Sequence, residues 1–129
     1  MADTSFVLSR GYDAAAAITK FRAVKFTTAE TTVTPVTAAT DFACGVSEFD
    51  CTAADILRGK GVNVIHLGIA TMEASAAITV GQAVGFGTDG RAKPIASTER
   101  YFGICVGNPA GGAGERVSVL ILVGGGVAP

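Results

Sequence analysis

The residues able to act as nucleophile and base are few: three cysteines, Cys44, Cys51 and Cys105, and one histidine, His66. Covalent catalysis needs a Cys or Ser beside a base that a third group orients. No local feature marks any of the three thiols as activated, and His66 alternates with Val62 and Val64 along a strand-like run, which favours a structural or interface imidazole. The acids Glu30, Asp41, Glu48, Asp50, Asp55, Glu73, Asp89, Glu99 and Glu115 fall mostly in turn-like stretches, where solvated carboxylates are the ordinary reading. An odd cysteine count without C-x-x-C spacing fits neither a disulfide framework nor a zinc site, so the thiols read as small apolar residues. The glycine-rich "GNPAGGAGE" at 107–115 runs into the strand-like "RVSVLIL" and not into the helix that a phosphate site requires, and it reads as a hairpin loop. The chain is therefore expected to be no enzyme, with no cofactor, no metal and no small-molecule substrate.

Composition sets the frame for the elements around these residues. The 129 residues fit one domain, 49% of them apolar and only 16% charged, so some apolar surface is expected to be covered by other chains. With a net charge of −1 and ten scattered basic residues, no phosphate-tracking face is indicated and nucleic acid is not an expected partner. "MADTSFVLSR" lacks the pattern of a secretory signal, and no apolar run approaches the roughly 20 residues of a membrane span. A cytosolic site of synthesis, without membrane association, is expected.

The chain repeats itself. "AAAAITKFRAVKFTT" at 14–28 returns as "ASAAITVGQAVGFGT" at 74–88, sharing the ordered Ile-Thr and Ala-Val-x-Phe. The match continues through Pro35 and Pro94, then Gly45-Val46 and Gly103-Ile104, and ends in "GVNVIHLG" at 61–68 and "ERVSVLILVG" at 115–124. This predicts an all-β domain over 14–124, a compact β-barrel or β-sandwich-like fold of two similar β-units at about 14–68 and 74–124. Residues 1–13 form either an N-terminal arm or a first strand, and 125–129 a loose tail.

Alternation places Val24 and Phe26, and again Val84 and Phe86, on a core face. Asp89-Gly90 in "TDGR" predicts a hairpin with a type I′ turn, because Gly accepts the positive φ which that turn demands. Pro35 and Pro94 cannot donate to a ladder and belong at strand ends or edges. Thr52 as N-cap, Asp55 three residues on and Gly59 as a stop predict a short helix near 52–58. "YDAAAAITKF" and "MEASAAITVGQ" read as turns leading into strands; Phe21 stands where the second copy has Gly81, so the first step is expected to turn differently. In the last strand Val117, Val119, Ile121 and Val123 form one face while Leu120 and Leu122 make the other apolar too, as in a strand buried on both sides or covered by a partner subunit.

The order of "GKGVNVIHLGIATMEASAAITVGQAVGFGTDGRAKPI" and "GICVGNPAGGAGERVSVLIL" resembles the small capsid decoration, or cement, proteins of tailed bacteriophages. The resemblance rests on Gly61 to Val64, Ile78 to Val84, Gly90 to Ala92, Gly103 to Ile104 and Val117 to Ile121. It implies a homotrimer on the outer surface of an assembled virion capsid, made in the bacterial host cytoplasm, whose partner is the major capsid protein. Its role would be to stabilise the shell by bridging neighbouring capsid subunits. Phe6, Val7, Leu8, Arg10 and Tyr12 are then the candidate capsid contacts, and Leu120, Leu122 and His66 the candidate trimer interface. The alternative is a virion-displayed receptor- or carbohydrate-binding β-domain, which would want aromatic platforms; the chain has no Trp and only Tyr12 and Tyr101.

Overall fold

The computed structural model describes residues 5–122 and 126–129, with side chains from Leu8 onward. In chain order the elements are β1 (Ser5–Ala14), β2 (Ala23–Phe26), β3 (Thr32–Pro35), β4 (Ala43–Ser47), α1 (Ala53–Leu57), β5 (Val62–Glu73), β6 (Ala83–Phe86), β7 (Ala92–Pro94), β8 (Gly103–Gly107) and β9 (Arg116–Ile121). The protein is mainly β, as the alternating patterns predict, with a closed five-stranded barrel, further strands and one short helix.

The barrel is β1-β3-β2-β4-β5, closed by antiparallel pairing of β1 with β5. The remaining strands continue the sheet from β5 as β9-β8-β6-β7, and a parallel bridge between Ala74 and Ala92 brings β7 back towards the end of β5. That bridge matches the parallel Ala14–Val33 pair of the first unit. The 12-residue β5 serves both units: Val64 and Ile65 pair with β1 and β4, while Ile69 to Glu73 pair with β9. Gly68, at φ 106°, sits at the changeover and faces both Phe6 and Ile121.

Two apolar clusters fill the units. Tyr12, Ala14, Ile18, Val24, Val33, Cys51, Val62 and Val64 pack in the first. Met72, Ala74, Ile78, Val84, Ala92, Ala110, Val117 and Val119 take the matching places in the larger second cluster, which also gathers Ala23, Val36, Val46 and Ile65 from the outside of the first barrel. Phe26 departs from the alternation: Phe86 is buried, but Phe26 is 54% exposed at the end of its strand.

Close backbone approach explains two repeated glycines. A Cβ on Gly45 would strike the Ile65 carbonyl oxygen and the Val64 side chain; one on Gly103 would strike the Leu120 carbonyl oxygen and the Val119 side chain. The turn before β2 differs from expectation, since Phe21 at φ 63° adopts the same left-handed conformation as Gly81 at φ 86°. Both N–H groups are used alike: Phe21 donates to Ser47 O and Gly81 to Cys105 O. The 88–91 hairpin is present, but the Gly87 N–H donates to Arg91 O and Gly90 sits at φ 80°, so the connection is the longer Thr88–Gly90 loop and not a two-residue type I′ turn. The tip of this loop touches the first unit, where the Ala23 N–H donates to Gly90 O at 2.9 Å.

Pro35 and Pro94 end β3 and β7. Helix α1 starts on Thr52, whose hydroxyl accepts from Asp55 N while the Asp55 carboxylate accepts from Thr52 N. Those bonds and the Arg58 guanidinium hold the Asp55 carboxyl down to about 2. The tail expected to be loose is held over residues 126–129: Tyr101 N donates to Gly126 O, Thr98 N to Ala128 O and Ala128 N to Glu99 O, and Ala128 is buried. Residues 98–101 lie between β7 and β8, outside the strand ladders, and the main-chain groups of Thr98, Glu99 and Tyr101 pair with the tail instead. Residues 1–4 and Val123, part of the predicted arm and last strand, lie outside the described residues, as do the side chains of Phe6 and Val7.

Candidate interaction surface

An apolar groove of about 360 Å³ opens where strand ends of the two units meet. Both copies of several repeated positions line it: Phe26 with Phe86, His66 with Ile121, Leu67 with Leu122, and Cys44 with Phe102. Five large apolar side chains around it remain open to solvent: Leu8, Phe26, Phe42, Leu67 and Leu122. The other exposed large apolar residues, such as Phe49, Leu57 and Val106, are not part of its lining.

The groove's polar groups are mostly satisfied from within. His66 Nδ1 lies 2.8 Å from Cys44 O, a pure acceptor, so Nδ1 carries the hydrogen, and in the neutral ring Nε2 accepts from the Tyr12 hydroxyl at 2.6 Å. The Phe26 ring stacks on His66 at 6.0 Å, with Tyr12 edge-on to both. The Asp41 carboxylate accepts from Thr37 N at 2.8 Å, Ala38 N at 3.0 Å and Lys25 Nζ at 3.0 Å. The Thr37 amide, with Lys25 and Ala38, holds that carboxyl below the usual carboxylate range against the opposing effect of burial. Arg100 lies with its guanidinium 4.7 Å from the centre of the Phe42 ring and donates from Nε to Thr40 O. Among the described residues it makes no salt bridge.

This geometry offers little to covalent chemistry. Burial pushes the half-buried Cys44 thiol up to about 12, so almost none is thiolate near neutral pH. Cys51 and Cys105 are buried, their sulfurs directed at Lys60 O and Gly107 O. No His, Cys, Asp and Glu cluster able to hold a metal occurs among the described residues.

The candidates chosen from sequence are drawn together only in part. Leu8, His66 and Leu122 line the groove. Tyr12 lies beneath it, buried, its hydroxyl committed to His66, with the Arg10 guanidinium 5.5 Å from its ring centre. Leu120 is elsewhere, half-buried and paired across the sheet with Ile69 and Ile104. Phe26, Phe42, Leu67 and Arg100 were not among the candidates: alternation assigns Phe26 to the core, Phe42 and Arg100 lie in loops, where periodicity carries no signal, and Leu67 lies within β5, where alternation gives its face and not its exposure.

No protein-family model matches the chain, and no curated protein matches it. Among solved structures, the chain is similar to the N base of the head fibre gp8.5 of bacteriophage phi29, with 21% identity and a TM-score of 0.68. The likeness covers 89% of this chain and 93% of that one, and at this identity it establishes a shared fold.

Proposed function

We propose that the protein is a structural component of a phage virion that seats on the outside of an assembled capsid and stabilises it by bridging neighbouring major capsid subunits. The observation that carries this reading is the fold shared with a head fibre base over nearly the whole of both chains. A closed barrel whose sheet continues through β5 into the second unit forms a stiff plug, and the groove exposes aliphatic and aromatic surface of the kind that partner chains cover.

A protein that binds only the closed lattice stabilises it by mass action, by about 2.7 kcal/mol per site at a free concentration a hundred times the dissociation constant. Association of copies into a trimer would multiply weak contacts through effective concentration. For that association the half-buried row Ile69, Leu120 and Ile104 is the better face, leaving Leu122 and His66 to the groove.

The test is to mix the purified protein with expanded, undecorated capsids and with unexpanded procapsids, then measure co-sedimentation and thermal rupture. Binding to expanded capsids, with a raised rupture temperature, is expected. Binding to neither at micromolar protein ends the proposal.

A further inference from the structure

Resting on the capsid-binding reading, we infer that the groove receives an apolar segment of the coat protein carrying one carboxylate, which pairs with Arg100. Leu8, Phe26, Phe42, Leu67 and Leu122 are between 36% and 64% exposed, and all five line this one groove. Its volume, about 360 Å³, lies at the low end of the roughly 300–1,000 Å³ of sites that enclose a bound molecule. That is room for a few side chains of a strand or loop and not for a folded domain.

Charge selects the occupant. Asp41 is neutralised by Lys25 and two amides, and both ring nitrogens of His66 are bonded within the protein. Arg100 alone at the groove keeps an uncompensated charge among the described residues, its Nε tied to Thr40 O and its plane held against Phe42. A guanidinium fixed in this way presents its outer N–H groups in the fork geometry that carboxylates accept. A second copy is a poor occupant, because groove-to-groove packing about a twofold axis would set Arg100 against its own equivalent.

Co-sedimentation with expanded, undecorated capsids should compare the wild type with F42S, R100Q and R100E, and with L57S on α1 as a control. Circular dichroism first establishes that each variant is folded. F42S and R100E are expected to lower the affinity about tenfold or more, R100Q less, and L57S not measurably. Raised salt should weaken the wild type and leave R100Q nearly unchanged. Groove variants that bind like a capsid-binding wild type would overturn this inference and leave the capsid reading standing; a wild type that does not bind would overturn both. Free protein that sediments as an oligomer, dissociated by F42S and R100E, would assign the groove to a second copy and also overturn it.

Discussion

The two units of this protein reach the same backbone through partly different residues, both in the core and around the groove. Val24 and Val84, Ile18 and Ile78, and Gly45 and Gly103 are alike because each meets a packed interior or a neighbouring strand. At matching places on the groove His66 and Ile121, or Cys44 and Phe102, differ, while Phe26 and Phe86, or Leu67 and Leu122, keep the same residue. Backbone geometry is thus the shared property, and side chains at matching places vary in the core and at the groove alike.

The sharpest way to break the comparison is at the paired glycines. G45A and G103A should each cost about 3 kcal/mol or more in denaturant unfolding, because the added methyl meets a carbonyl oxygen of the adjoining strand as well as a valine side chain, and the backbone oxygen cannot swing away. A large cost in one unit and none in the other would show that the two strand pairs do not share their spacing.

A smaller effect is expected at the loop locks. Asp41 accepts from Thr37 N, Ala38 N and Lys25, and Glu99 in the second unit accepts from Ala96 N and Lys93. D41N and E99Q should each lower stability by about 1–2 kcal/mol near neutral pH. Both carboxyls titrate below their ordinary values, Asp41 chiefly through the Thr37 amide and Glu99 chiefly through Lys93. Their contribution is therefore complete above the unfolded-state values near pH 4 and is lost as pH falls through the folded ones. Unfolding curves of the wild type and the two variants should converge on acidification; a constant gap would assign the loss to packing.

The smallest effect is expected at the matched left-handed turn. No atom lies within 4 Å of a Cβ built on Gly81, so G81A should cost only the conformational term, about 1 kcal/mol. F21G should gain a similar amount and lose the stacking of Phe21 beneath Arg116 at 4.6 Å and Lys20 at 5.4 Å, leaving a net change within about 1 kcal/mol. A loss well beyond that would mean that the ring, and not the turn, holds the segment.

Much of this architecture is legible in the chain. The repeated Ile-Thr and Ala-Val-x-Phe steps locate β2 and β6, Pro35 and Pro94 mark the ends of β3 and β7, and Thr52 with Asp55 marks α1. The groove is much less legible. Phe26 and Phe86 occupy the same place in the repeat, yet one is exposed and the other buried, because exposure at a strand end depends on what closes over it. Phe42 and Arg100 are 58 positions apart by their numbers and meet only because the units lie side by side.

Local patterning located most of the strands, the strand-ending prolines and the helix cap, since each follows from side-chain period, fixed φ or a hydrogen bond a few residues away, but it did not give the type of the turns. Tertiary structure alone decided that β5 is shared, that Phe21 accepts a glycine-like conformation, and that the tail docks. It also decided that His66, Leu8, Leu122 and Arg100 border one apolar recess. Those outcomes depend on contacts between residues distant in the chain, whose free energies no short window of sequence contains.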